Sequence, residues 1–135
     1  MSCAIEAKKR GPSTVVLEQG GVDGAIRRFP TDLVWFSTPE LLEIGGIPFV
    51  MSWTRPTRVD TLNHYHGVAR HLALDIRTSA RVTSTAKSDG KFLLGTEIGT
   101  KYALQSVVIA TGYVENGRMH AFSIMPDIAC KIGRG

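Results

Sequence analysis

Two short apolar runs that end at glycine constrain the fold of this 135-residue chain. The first is residues 13–18 (STVVLE), followed by Gln-Gly-Gly, and the second is residues 106–110 (SVVIA), followed by Thr-Gly. A continuous run of β-branched residues is typical of a strand that is buried on both faces in a parallel sheet. Ligands of open α/β sheets bind just beyond the carboxyl ends of such strands. The sequence therefore predicts an α/β fold with a ligand site where these two runs end.

The composition is that of an ordinary globular domain, with 43% hydrophobic residues, 21% charged residues and a net charge of +4. The basic residues stand in short scattered groups, whereas a nucleic-acid-binding surface more often has a basic stripe with interleaved aromatic residues. No apolar run approaches the roughly 18 residues of a membrane span. The N-terminal residues also lack the order of a signal peptide. We therefore expect a cytoplasmic protein that binds neither nucleic acid nor membranes.

Metal binding is not expected. Cys3 and Cys130 lie near opposite ends of the chain and form no zinc-type spacing, so both are interpreted as small apolar residues. His64 and His66 form a His-x-His pair, but no carboxylate or cysteine stands at a fitting distance in the sequence. A polar helix face is the favoured interpretation of this pair.

The remaining periodicity supplies the other elements of an α/β domain. Helices are predicted over residues 2–10, 25–29 and 57–74, the last capped by Thr57 or Asp60. Strands are predicted at residues 75–78, 81–86, 91–98 and 102–103, with an Asp-Gly turn closing the hairpin. Residues 31–57 show no periodicity, so they either serve the function or shield the core with their aromatic side chains. We expect residues 1–116 to form the domain and residues 117–135 to be a loosely ordered tail.

Glu18 is the most informative polar residue because it ends the first apolar run. A carboxylate at the end of the second strand of a mononucleotide-binding unit accepts hydrogen bonds from ribose hydroxyls. Gly20 and Gly21 let the backbone pass close to a bound nucleotide. A glutamate after a strand alone is weakly specific, because most such residues face solvent or cap a turn.

This order of features resembles the FAD-binding domain of flavoproteins that have two dinucleotide-binding domains. The segment from Phe29-Pro30-Thr31 through residues 36–49 (FSTPELLEIGGIPF) to Arg55-Pro56 is more specifically similar to thioredoxin-reductase-like flavin oxidoreductases of the bacillithiol-disulfide reductase type. The resemblance covers residues 2–116. It implies FAD as cofactor, NAD(P)H as electron donor and a disulfide-type small-molecule acceptor.

The resemblance also implies roles for particular residues. Glu18 corresponds to the ribose-binding glutamate, and Gln19, Gly20 and Gly21 correspond to the turn that runs along the cofactor. Val82 corresponds to a position whose backbone contacts adenine, although an ordinary strand residue is the simpler interpretation. The motif near the pyrophosphate and ribityl chain corresponds to Ala110, Thr111 and Gly112. No residue is assigned a catalytic role.

The chain departs from the family pattern at both ends. The first strand with its Gly-x-Gly-x-x-Gly loop and the NAD(P)H domain have no counterpart in this sequence. We therefore expect a partial Rossmann-like FAD-binding domain, a parallel sheet with helices and a small antiparallel layer, that binds FAD weakly or not at all and is inactive in isolation. The predicted function is that of a fragment of a FAD-dependent oxidoreductase. The alternative is a non-catalytic α/β remnant or nucleotide-binding module, and a homo-oligomer is left open.

Overall fold

The computed structural model describes residues 1–112. Its elements in chain order are α1 (Ser2–Lys9), β1 (Val16–Leu17), α2 (Gly24–Arg27), a 3₁₀ turn (Pro39–Leu42), α3 (Arg58–His71), β2 (Ile76–Arg77), β3 (Val82–Ser88), β4 (Lys91–Thr96) and β5 (Lys101–Leu104). The predicted helices and the predicted hairpin are confirmed, with bounds that shift by a few residues. The predicted tail, residues 117–135, lies outside the described residues.

Strands β1 and β2 form a short parallel pair. The N–H of Val16 donates to the carbonyl of Asp75 at 2.8 Å, and the N–H of Glu18 donates to the carbonyl of Arg77 at 2.9 Å. The connection between the two strands contains α3, as a parallel crossover requires. This pairing confirms the predicted parallel strand at residues 75–78 and places Glu18 at the carboxyl end of β1.

Helix α3 begins where its sequence predicts. The hydroxyl of Thr57 accepts a 3.2 Å bond from the N–H of Asp60, and the carboxylate of Asp60 accepts a 2.9 Å bond from the N–H of Thr57. This reciprocal capping box satisfies two backbone donors that the first helical turn would otherwise leave unpaired. One face of the helix is buried through Thr61, Val68 and Ala69.

Strands β3, β4 and β5 form an antiparallel sheet in sequence order. Asp89 (φ 50°) and Gly90 (φ 75°) join the first two strands with positive φ at both positions. This conformation matches the right-handed twist of the flanking strands and explains the Asp-Gly pair. Tyr102 and Ala103 extend the sheet within β5, as predicted.

Gly45 marks the point where the middle segment, residues 31–57, meets α1 and α3. Its φ is 71°, and a Cβ at this position would lie 3.1 Å from Cδ1 of Leu72 and 3.3 Å from Cδ1 of Ile5. Both the backbone conformation and the close approach therefore require glycine here. Ile5 and its neighbour Ala4 are buried, so this side of α1 packs into the core.

The aromatic residues of the middle segment divide between two environments. Phe49 is buried against α3, whereas Phe36 is 92% exposed and Trp53 is 73% exposed. Beyond the 3₁₀ turn and two isolated bridges, this segment is irregular, as predicted. Phe49 shields the core, while Phe36 and Trp53 do not.

The strand predicted at residues 106–110 is wrong. These residues are neither helix nor strand in the structure, and Val108 and Ile109 are 66% and 64% exposed. A central strand needs hydrogen-bonding neighbours, and within residues 1–112 the parallel sheet consists of β1 and β2 alone. Hydrophobic composition indicates that a segment favours burial, but it does not supply the partner that buries it.

Candidate nucleotide-binding site

The main chain holds Glu18 firmly at the carboxyl end of β1. Besides its bond to β2, Glu18 accepts a 2.9 Å hydrogen bond on its carbonyl from the N–H of Ala80. The side chain folds back along the turn, where Oε1 accepts a 3.1 Å bond from the N–H of Gly20. The carboxylate is half-buried. This is the edge of a parallel sheet at which nucleotide ligands bind.

Gly20 and Gly21 form the turn after Glu18, and the packing of the chain itself does not require glycine at either position. Neither residue has a φ in the left-handed region. Among residues 1–112, a Cβ on Gly20 would approach only Oε1 of Glu18, at 3.9 Å, and a Cβ on Gly21 would approach only Nε of Arg27, at 3.8 Å. The space beside both glycines is therefore open for a ligand to approach the backbone closely.

The start of the antiparallel layer is tied to the same turn. The N–H of Ser79 donates to the carbonyl of Gly20 at 3.0 Å, next to the bond between Ala80 and Glu18. Val82 begins β3 two residues later and is half-buried. The structure thus brings Val82 into the neighbourhood of the turn formed by Glu18, Gln19, Gly20 and Gly21.

The structure does not place the predicted pyrophosphate motif at the end of a buried strand. This motif consists of Ala110, Thr111 and Gly112. All three are exposed and follow β5 in a segment without strand structure. Gly112 has a φ of 77°, which favours glycine over other residues. Because the strand at residues 106–110 does not form, these residues do not stand at a strand end beside β1.

Asp23 is a feature of this region that the sequence prediction missed. It has a φ of 58°, unusual for a residue other than glycine, and its Oδ2 atom is buried without a hydrogen-bond partner in the described structure. Burial raises the pKa of the Asp23 carboxyl, and the negative charge of Glu18 adds to that effect. The Asp-Gly dipeptide formed with Gly24 is a turn signal that could have drawn attention to this position.

A depression of about 340 Å³ lies beside this turn and against α3. Its lining residues are Val22, Asn63, His66, Ala69 and Arg70. Nε2 of His66 lies 3.3 Å from the carbonyl oxygen of Val22, so the helix and the turn are joined at its edge. The turn is thereby held from two sides, by β2 with its following loop and by α3.

Residues 1–112 contain no group of three or more His, Cys, Asp or Glu side chains arranged to hold a metal ion. None of the helices in this part of the chain is long and apolar enough to cross a membrane.

The parallel pair β1–β2 joined through α3, together with the antiparallel layer, is part of the Rossmann-like fold of FAD-binding oxidoreductases. This confirms the predicted α/β fold class. The chain belongs to the pyridine nucleotide-disulphide oxidoreductase family, whose model matches residues 1–132.

Three relatives define the resemblance more closely. The chain is 31% identical over 117 residues to bacilliredoxin reductase Bdr of Bacillus subtilis, a match that covers 86% of this chain and 36% of that protein. Bacillithiol disulfide reductase from Staphylococcus aureus superposes with a TM-score of 0.81 at 34% identity, covering 83% of this chain and 34% of the other. The Bacillus cereus enzyme of the same name superposes with a TM-score of 0.80 at 31% identity, covering 88% of this chain and 38% of the other.

The predicted similarity to the bacillithiol-disulfide reductase type is thus confirmed, and the chain spans about a third of the length of these relatives. A flavin-containing monooxygenase from Stenotrophomonas maltophilia shares the fold at a TM-score of 0.73 and 23% identity, over 80% of this chain and 34% of its own.

Proposed function

We propose that this chain supplies the ribose-binding part of a FAD site in a flavin-dependent oxidoreductase that uses NAD(P)H to reduce a disulfide. The observation that carries the proposal is the position of Glu18, held at the carboxyl end of β1 beside two glycines that the chain's own packing does not require. Bound FAD would accept hydride from the nicotinamide and pass electrons to the acceptor. The residues of this chain bind and orient it.

The donor and acceptor chemistry of the turn fits a ribose. A carboxylate accepts up to about four hydrogen bonds, so the bond from Gly20 leaves acceptor capacity on Glu18 for two vicinal hydroxyls. Hydrogen bonds to a charged acceptor are stronger than neutral ones. Gln19, Gly20 and Gly21 would line the cofactor, and the backbone of Val82 would contact the adenine.

The roles of Ala110, Thr111 and Gly112 near the pyrophosphate rest on the family resemblance alone. For these residues to act there, the exposed segment that contains them would have to pack beside β1. The names of the relatives support a low-molecular-weight thiol disulfide, or a protein disulfide of that thiol, as the acceptor. We assign no described residue to NAD(P)H.

A second candidate is a non-catalytic nucleotide-binding module. The exposure of Val108 and Ile109, together with a parallel sheet of only two residue pairs in the described chain, favours it. Under this alternative the turn at Glu18 would still bind the adenosine part of a dinucleotide, without redox chemistry.

The test is a titration of the purified chain with FAD, followed by the change in flavin fluorescence and checked by equilibrium dialysis. Glu18→Gln keeps the shape of the side chain but removes its charge. Because a hydrogen bond to a charged group contributes about 1.5–3 kcal/mol, we expect Kd to rise by a factor of about ten or more. Glu6→Gln is the matched control, since Glu6 is exposed on α1 and pairs only with Lys9 in the described structure.

Three results separate the candidates. Weaker FAD binding in Glu18→Gln, with no change in Glu6→Gln, supports the ribose assignment. Equal binding by wild type and Glu18→Gln would refute it. NADPH- or NADH-driven disulfide reduction by the FAD-loaded chain would refute the non-catalytic module.

A further inference from the structure

We propose that Asp23 is a positioning residue that couples FAD binding to protonation: its neutral form leaves Glu18 as the anionic acceptor of the ribose hydroxyls, and its ionised form weakens binding. The proposal rests on the proposed function of Glu18 and adds a second residue to that site. It predicts that FAD binding is accompanied by uptake of a proton at Asp23.

Asp23 combines an unusual backbone conformation with a buried carboxyl oxygen. Asp23 precedes α2 with φ 58° and ψ 37°, and its side chain makes no capping bond to that helix. Aspartate at the N-cap of a helix ordinarily caps it. Here Oδ2 is instead buried without a hydrogen-bond partner among the described residues.

Charged and titratable groups face Asp23 from every neighbouring element. They are Glu18 at the end of β1, Arg27 on α2, Tyr65 and His66 on α3, and the amino group of Met1 before α1. His66, the amino group and Arg27 favour the ionised carboxyl, whereas burial and the charge of Glu18 oppose it. Burial is the largest of these effects, and their net result is a raised pKa of the Asp23 carboxyl.

The two carboxyls of the turn are not equivalent. Oε1 of Glu18 accepts a hydrogen bond from the N–H of Gly20. Among the described residues Asp23 has no such donor at its buried Oδ2, so no hydrogen bond offsets the loss of hydration that ionisation of this carboxyl entails. A bound dinucleotide brings further negative charge on its pyrophosphate, which disfavours ionised Asp23 still more.

The proposed coupling between FAD binding and protonation of Asp23 has a definite direction. Because ionisation of Asp23 adds a negative charge beside Glu18 and the ligand, the FAD complex holds the proton more tightly than the free chain. Affinity for FAD therefore falls as the pH rises through the pKa of Asp23 in the free chain. One coupled proton limits the change to about tenfold in Kd per pH unit.

The test is to titrate FAD into wild type, Asp23→Asn and Asp89→Asn between about pH 4 and pH 8. Asparagine imitates the neutral carboxyl in shape, and Asp89 is an exposed carboxylate at the hairpin turn. We expect wild type and Asp89→Asn to lose affinity as the pH rises. Asp23→Asn should lose this pH dependence and should bind FAD several-fold more tightly than wild type at the highest pH of the series.

Two results of that titration would overturn the proposal. One is an Asp23→Asn variant that keeps the wild-type pH dependence. The other is a variant that binds FAD more weakly by the same factor at every pH, which would show a purely structural role.

A measurement without cofactor separates this proposal from the proposed function. The Asp23 carboxyl of the free chain is titrated by carbon NMR in wild type and in Glu18→Gln. Removing the repulsion from Glu18 should move the Asp23 midpoint to lower pH. An unmoved midpoint would refute the coupling whether or not FAD binds, while absence of FAD binding with a shifted midpoint would refute only the role of the turn as a FAD site.

Discussion

The imidazole of His64 lies flat on the ring of Phe49, with the ring centroids 4.2 Å apart and an interplanar angle of 1°. This contact joins the irregular middle segment to α3, because Phe49 belongs to the former and His64 to the latter. Nε2 of His64 is buried without a hydrogen-bond partner in the described structure. The ring thus contributes packing while one of its polar atoms is unsatisfied, and an unpaired buried polar atom costs stability.

Replacing His64 by Phe should make the stability of the chain less dependent on pH. Burial lowers the pKa of His64, against a smaller opposing effect of the Glu43 carboxylate. The unfolded chain therefore takes up a proton on this residue at a higher pH than the folded chain. The stabilisation from neutral His64 is fully present above about pH 6.5 and is lost progressively as the pH falls below that value.

The measurement is urea unfolding of wild type and His64→Phe at several pH values between about 5 and 8. The variant keeps the stacked ring and should lose the acid-side decline. His71→Phe is the control, because His71 is exposed at the end of the same helix. An unchanged decline in His64→Phe would show that another group is responsible for it.

Two glycine-to-alanine substitutions should act in opposite directions. Gly67 lies inside α3, where a Cβ would meet no atom of another described segment within 4 Å, so alanine should stabilise the chain by about 0.5–1 kcal/mol. Gly90 has a φ of 75°, so alanine there should destabilise it by about 1–2 kcal/mol. Urea midpoints of the two variants check both signs. Stabilisation by Gly90→Ala would contradict the turn geometry.

Features set by neighbouring residues could be predicted from this sequence. The start of α3 depends on Thr57 and Asp60, which are three positions apart and cap each other. The hairpin turn depends on the adjacent pair Asp89 and Gly90. In both cases the residues that form the sequence pattern are the same residues that make the stabilising contact or adopt the required conformation. The structure confirms both predictions.

Features that depend on distant partners could not be predicted. The raised pKa of Asp23 depends on its burial and on charges at Met1, Glu18 and His66, and no local sequence pattern reveals these neighbours. Glu18 was found because the end of a strand is a local signal, but its bond to Ala80 depends on where the loop after β2 passes. The prediction of a strand at residues 106–110 was wrong for the same reason. Burial of this apolar run needs a neighbouring strand, which the composition of the run does not define.

The surface position of that run can be tested with a matched pair of Val→Thr substitutions, which keep the shape of the side chain and add a hydroxyl. Val68 is 1% exposed inside α3, and Val108 is 66% exposed. Val68→Thr should destabilise the chain by about 1–3 kcal/mol because a hydroxyl is buried, whereas Val108→Thr should change the free energy of unfolding by less than about 0.5 kcal/mol. Urea unfolding of both variants gives the comparison. A loss at Val108 as large as that at Val68 would show that the run is packed in the folded chain, as its sequence predicts, and would place Ala110, Thr111 and Gly112 back at the end of a buried strand.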